Sequence, residues 1–160
     1  MKFDEIDKKI LDILQTNCKI TNAQLASEVG ISPSSMLERV KRLENSKVIN
    51  KYVALVSPEK IGRGTFALVS VALSIHQLES VDKFIKTFSD IDEVLECYHI
   101  AGDEDFLLKV AVRDMQEYQD FVLNKLSKVK GINKIKTTFV LSTVKFETKF
   151  KLPEEVAEEA

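Results

Sequence analysis

Two helix-start signals, at Thr21 and at Ser32, lie so close that the chain between them has room only for a short helix and a tight turn. Thr21-Asn22-Ala23-Gln24 is a capping box. The threonine hydroxyl accepts from the backbone N–H three residues on, and the glutamine reaches back to the threonine N–H. Ser32-Pro33 is the second start, with serine at the cap and proline at the first helical position, where a missing N–H does no harm. Gly30 follows Leu25, Ala26 and Val29 and supplies the positive-φ residue that ends the first of these helices. A helix, a turn containing glycine and a second helix make a helix-turn-helix. Upstream, Asp4 can cap a further helix to about Gln15, with Ile6, Ile10, Ile13 and Leu14 on one face.

The third helix, about Pro33–Asn45, carries the chemistry. Met36, Leu37, Val40 and Leu43 group on one side and are expected to face a small core. Ser35, Glu38, Arg39 and Arg42 are expected on the opposite side, flanked by Ser34, Lys41 and Asn45. These types suit a duplex groove: arginine grips guanine or phosphate, glutamate accepts from the cytosine amino group, and serine does either. Ser34 and Ser35, in the first turn, are expected deepest in the groove. Lys47 and Lys51 follow, so residues 39–51 carry five positive charges against Glu44 and should add salt-sensitive phosphate affinity. A charged helix face is most often just the solvated side of an amphipathic helix. Here the capped helix before it and the lysine-bearing stretch after it favour DNA.

Charge is divided along the chain. Residues 1–62 hold ten Lys/Arg and eight Asp/Glu, net +2, while residues 63–160 hold thirteen and seventeen, net −4. Different partners for the two halves are expected. With 44% hydrophobic and 30% charged residues, the composition is globular rather than disordered. No apolar run approaches the ~20 residues that span a bilayer, and Met1-Lys2-Phe3-Asp4-Glu5 lacks the apolar core of a secretory signal, so a cytoplasmic protein with no membrane partner is expected. Cys18 and Cys97 are too far apart in sequence to suggest a zinc site, and two free thiols are expected.

Val48–Ser57 has strand character and ends at Ser57-Pro58; Gly62-Arg63-Gly64 then marks a linker. Beyond it, strands are expected at Phe66–Ile75, Val94–Ala101, Phe106–Val112 and Ile132–Phe150. Helices are expected at 78–90, with Val81, Phe84, Ile85 and Phe88 inward, and at Met115–Lys128, with Met115, Tyr118, Val122 and Leu126 inward. The order β-α-β-β-α-β is ferredoxin-like, one sheet with two helices on one face. The expected class is therefore α+β: a winged helix-turn-helix domain over 1–62, a βαββαβ domain over 63–150 and a solvated acidic tail over 151–160.

Within the second domain, Gly102-Asp103-Glu104-Asp105 joins two strands. Glycine admits close approach of a ligand carboxylate to its N–H, and Asp103 or Asp105 can pair with an ammonium group, which together suit an α-amino acid. A glycine-aspartate turn is equally a common hairpin connection. His76 and His99 are not spaced as metal ligands; His99, on the strand leading to the turn, is expected to be a hydrogen-bonded structural histidine, with contact to a ligand or partner subunit as the alternative. No nucleophile–base constellation, phosphate loop or metal set is present, so catalytic residues, metals and cofactors are not expected.

Ile31-Ser32-Pro33-Ser34-Ser35-Met36-Leu37-Glu38-Arg39-Val40-Lys41-Arg42-Leu43-Glu44 resembles the recognition helix of the Lrp/AsnC family of leucine-responsive, or feast/famine, regulators. Leu25-Ala26, Ile49-Asn50-Lys51-Tyr52 and the run Glu96–Val110 resemble that family's neighbouring and ligand-domain patterns, so the likeness covers roughly residues 4–150. It implies a transcription regulator that binds double-stranded DNA as a homo-oligomer, dimers assembling to octamers. It also implies an amino-acid effector bound between neighbouring dimers. The matching effector positions are Gly102, Asp103, Asp105 and Leu108, with Thr138, Val140, Ser142 and Thr143 as the facing wall; ordinary strand burial also accounts for that second stretch. The family usually has glycine where this chain has Lys47 and Lys51, which leaves Asn45 or Asn50 to absorb a positive-φ turn. Siroheme decarboxylases resemble the same two-domain fold and would need a pocket with basic and histidine side chains; the chain has two histidines, and Arg63 and Arg113 are the only arginines beyond the helix-turn-helix. An effector-independent DNA-architectural protein is the other alternative.

Overall fold

A computed structural model describes residues 3–74 and 81–153. It forms two compact units: the described residues up to Leu55 together with those from Lys145 on, and residues 56–144. No helix among the described residues is long and apolar enough to cross a membrane.

The front unit contains α1 (Glu5–Thr16), α2 (Asn22–Val29) and α3 (Pro33–Asn45). All three begin at the expected caps. Asp4 accepts from the Asp7 N–H at 2.8 Å, Thr21 accepts from that of Gln24 at 3.2 Å and Ser32 from that of Ser35 at 3.2 Å. Gly30 stands at φ 84° and closes α2 in the left-handed region. Ile10, Leu25, Met36 and Leu43 are fully buried between the helices, joined by Leu11, which the one-face reading of α1 passed over. The last described residues also pack here. The Phe150 N–H donates to Gln15 Oε1 at 2.7 Å, Gln15 Nε2 donates back to the Phe150 carbonyl, and Leu152 packs against the front core. The expected tail is therefore docked where it begins; residues 154–160 lie outside the described residues.

The back unit is a four-stranded antiparallel sheet in the order β2-β3-β1-β4, made by β1 (Thr65–Leu73), β2 (Val94–His99), β3 (Phe106–Val112) and β4 (Ile132–Phe139). Helices α4 (Val81–Ser89) and α5 (Met115–Asn124), the latter followed by a 3-10 turn at Leu126–Lys128, cover one face. The period of two is visible in β1, where Ala67, Val69 and Val71 are buried under the helices and Leu68 between them is exposed. Phe84, Phe88, Phe106 and Phe121 fill the layer, Phe88 meeting Phe106 edge-to-face at 5.3 Å. Ile85 and Met115, expected inward, are 40% and 58% exposed, and Phe121 holds the inward position on α5 instead. Ile75, His76 and residues 78–80 of the expected elements lie outside the described residues.

One expected strand is absent among the described residues and another is shorter than expected. Val48–Ser57 pairs with nothing, and β4 stops at Phe139 rather than Phe150. Both stretches hold apolar residues in the open: Leu55 is 63% exposed, Val144 96% and Phe146 65%. Strand propensity is a property of a segment, but a strand needs a partner; among the described residues Val48–Ser57 joins no sheet, and past β4 only the Val140 N–H still reaches β1, at the Phe66 carbonyl.

Candidate functional site

The reading helix is oriented by its core stripe. Met36, Val40 and Leu43 are buried, and Ser34, Leu37, Glu38, Lys41 and Asn45 form the solvent row at i, i+3, i+4, i+7 and i+11. Leu37, expected in the core, is 41% exposed. It lies about 100° from Met36 and falls on the outer side of the helix.

Arg39 and Arg42 are not on the centre of that row. Arg39 Nη1 donates to Asp4 Oδ2 at 2.6 Å and to Asp7 Oδ1 at 2.9 Å, and Arg42 Nη2 donates to Asp7 Oδ2 at 2.5 Å. Asp7 is 1% exposed, the buried charged residue of the front core. A carboxylate taken from water must be paired, and both arginines converge on it. The wheel explains the sharing: Arg39 sits only about 60° from the line of core residues, on the flank turned to α1. The hydrogen bond from the Asp7 backbone, followed by the Arg39 guanidinium, holds the Asp4 carboxyl below the usual range, while Asp4 and then Asp7 raise Arg39. Sequence reasoning missed Asp7 because an acidic residue in a first helical turn is ordinarily exposed. Its spacing from Asp4, three residues, was the signal available.

The path after α3 differs from the expectation. Neither Asn45 nor Asn50 takes the turn; Lys47 does, at φ 61°. The Val48 N–H reaches the Leu43 carbonyl at 3.0 Å and the Lys47 N–H reaches that of Glu44 at 3.0 Å, the paired bonds of a Schellman ending. Lys47 therefore stands in the place of a helix-ending glycine and is exposed. Beyond it, the Tyr52 hydroxyl donates to Glu44 Oε1 at 2.9 Å, which ties the Lys51-Tyr52 stretch to α3; partial burial and then Glu44 push the Tyr52 phenol up to about 12.

In the back unit, the turn after β2 contains Gly102 at φ 150°, with open space where a Cβ would stand. Asp103 is exposed beside it. Asp105 is turned inward: its Oδ2 accepts the Leu73 N–H at 2.7 Å and its own N–H donates to Val71. Leu108 is fully buried in the helix-covered core, so its side chain is removed from the expected effector group. Its position on β3 puts it in register with Val69 on the covered face. Thr138, Val140, Ser142 and Thr143 are exposed. They do not meet the turn within one chain. Phe106 pairs with Val71 and Phe139 with Ala67, so the two stretches are offset by four residues of β1, about 14 Å along the sheet. His99 stacks on Phe106 at 5.1 Å. A cleft of 680 Å³ beside α1, lined by Leu14, Tyr52 and Phe150, contains none of the effector residues.

Comparison with known proteins decides the family. The Lrp/AsnC ligand binding domain matches residues 66–150, and a winged helix-turn-helix DNA-binding model matches residues 3–50. The chain belongs to the Lrp/AsnC family. It is 40% identical over 142 residues to the leucine-responsive regulatory protein of Haemophilus influenzae, 89% of this chain and 86% of that one. The DNA-binding transcriptional activator DecR of Escherichia coli is 33% identical over 91% of this chain and 95% of its own. Among solved structures, a Neisseria meningitidis transcriptional regulator in complex with L-Met superposes with a TM-score of 0.87 at 34% identity, covering 93% of this chain and 96% of that one. This Lrp/AsnC member is accordingly a DNA-binding transcription regulator with an effector-responsive second domain. Arg63 pairs with Glu117 at 2.6 Å and Arg113 with Asp114 at 2.9 Å. Among the described residues no group of three or more His, Cys, Asp or Glu could hold a metal ion.

Proposed function

We propose that this regulator reads duplex DNA through the exposed row of α3 and is controlled by an amino acid bound between chains. The observation that carries the DNA reading is the row itself: Ser34, Glu38 and Lys41 face solvent on a helix whose opposite side is locked into the core. Such a helix fits the major groove, with Glu38 accepting from cytosine, Lys41 donating to guanine and Leu37 available to a thymine methyl. Ser35 is half-buried at the first turn, and Lys47 and Lys51 add phosphate contacts beyond the helix.

The effector site joins Gly102 and Asp103 of one chain to the Thr138, Val140, Ser142 and Thr143 stretch of another. Asp105 braces the turn from behind, and Leu108 packs in the core beneath β3. The separation of the two stretches within one chain supports a shared site, and the L-Met complex of the Neisseria neighbour supports an amino acid. The assembly is a homo-oligomer of dimers, up to the octamer, working in the cytoplasm as a regulator rather than an enzyme. Ligand shifts the assembly only through different affinities for its two arrangements.

A thermal-shift screen against the twenty amino acids, paired with DNA mobility shift, tests both halves. One amino acid should raise Tm, since a bound ligand stabilises the folded state. Replacing Glu38 and Lys41 with alanine should leave Tm unchanged and abolish selective DNA binding. Unchanged selectivity overturns the assignment of the reading row. Silence across the whole screen removes the amino-acid sensor and favours a DNA-architectural role.

A further inference from the structure

The same two carboxylates serve α1 and α3 at once. Asp4 and Asp7 form the capping box of α1, and both accept from the arginines of α3. The arginines are not equivalent in this cluster. The Arg39 side chain is 23% exposed and its Nη1 is shared between both acids. The Arg42 side chain is 47% exposed, and among the described residues only its Nη2 has an acceptor, so Nη1 and Nε remain available as donors.

Their places around α3 separate them further. Lys41, Glu38 and Asn45 lie along the centre of the solvent row, and Arg42 is about 40° beyond Glu38, on its flank. When a helix enters a major groove about 12 Å wide, its central row faces base edges and its flanks face the phosphate walls. Arg39 is a further 60° or so around, toward α1 and away from either wall. An arginine held by a buried carboxylate loses little rotamer freedom on meeting a phosphate, because the freedom is already gone.

We propose that Asp7 is a positioning residue for DNA recognition: its buried carboxylate retains Arg39 as an internal counter-ion and aims the Arg42 guanidinium at a phosphate on the wall of the groove that α3 enters. This rests on α3 being the reading helix, and it removes Arg39 from the DNA contacts while keeping Arg42 as a backbone contact rather than a base reader.

The test uses the full chain and a duplex that the wild-type chain selects from a randomised pool, with an unrelated duplex beside it. Asp7→Asn keeps the shape and removes the charge. It should weaken binding to both duplexes about tenfold and lower the slope of log K against log salt by about one per protomer. Arg42→Ala should do the same, and the double variant should lose no more than either single one. An unchanged salt slope in Asp7→Asn, with only Tm reduced, overturns the proposal and leaves Asp7 a stabilising residue. Tighter binding with a steeper slope also overturns it, because the acids would then be withholding the arginines from DNA. If Asp7→Asn does not fold, Arg42→Ala decides alone: an unchanged slope refutes, and a slope lowered equally on both duplexes supports. A wild-type chain that enriches no duplex would instead refute the DNA reading of α3 itself, and this proposal with it.

Discussion

The two candidate sites of this regulator are built in opposite ways. The DNA row comes from a single helix, capped at Ser32-Pro33 and closed by a Schellman ending at Lys47, so one chain presents all of it. The proposed effector site draws on the turn after β2 and on the end of β4, which one sheet holds at opposite ends of β1. A surface made by one element is complete as soon as that element folds. The proposed site, made from two ends of a sheet, would be complete only when a second copy brings the missing end, which would link ligand to assembly.

The largest test of that difference is to separate the copies. Leu68 lies on the sheet face that the helices leave open, between Lys109 and Thr138. Leu68→Glu should reduce the assembly in light scattering, abolish the amino-acid thermal shift and weaken DNA binding ten- to a thousandfold through lost multivalency. An intact ligand shift in a monomer would show that the effector site is complete in one chain.

Arg39→Ala probes the front unit alone. It removes one partner of a buried carboxylate, and Arg42 compensates only in part, so unfolding in urea should show a loss of about 3 kcal/mol. A loss confined to a few tenths would mean that water reaches Asp7 freely.

In the back unit, Asp105→Ala strips the Leu73 N–H of its acceptor and should lower stability by about 2 kcal/mol. Asp103→Ala, exposed in the same turn, should change stability by less than about 0.5 kcal/mol while weakening the effector response. The reverse order of effects would exchange the roles of the two acids.

Lys47→Gly should raise stability by about 0.5–1 kcal/mol, since a residue with a Cβ is strained at positive φ, and should lower the DNA salt slope by about one per protomer. Smallest is the acid dependence of the α1 cap. The Asp4 pKa lies below its unfolded value, chiefly through the Asp7 backbone hydrogen bond, so its contribution is full above about pH 4 and drains as pH falls through the lower folded value. Urea midpoints from pH 7 to 3 should fall more steeply in the wild type than in Asp4→Asn; parallel curves would remove Asp4 from the acid response.

Much of this was legible in the chain. Capping is chemistry between residues three apart, so Asp4, Thr21, Ser32 and Gly30 could be read as punctuation. The βαββαβ order likewise followed from the elements in sequence. The resemblance puts Leu108 among the effector positions, and only its register with Val69 shows that its side chain lies in the core. For Val48–Ser57 and 140–150 the chain shows strand propensity alone, and propensity does not supply a partner strand.

By itself, then, the sequence determined what depends on neighbours along the chain: three capped helices, the alternating strands and the residue types offered to DNA and ligand. Tertiary structure alone decided what depends on neighbours across it. It drew Arg39 and Arg42 onto a buried Asp7 thirty-two and thirty-five residues away, turned Asp105 inward and set the two proposed effector stretches apart. The reason is desolvation. A charge on a helical wheel is assumed to face water, and only the packing of a second helix reveals which charges have lost it and must find partners within the protein.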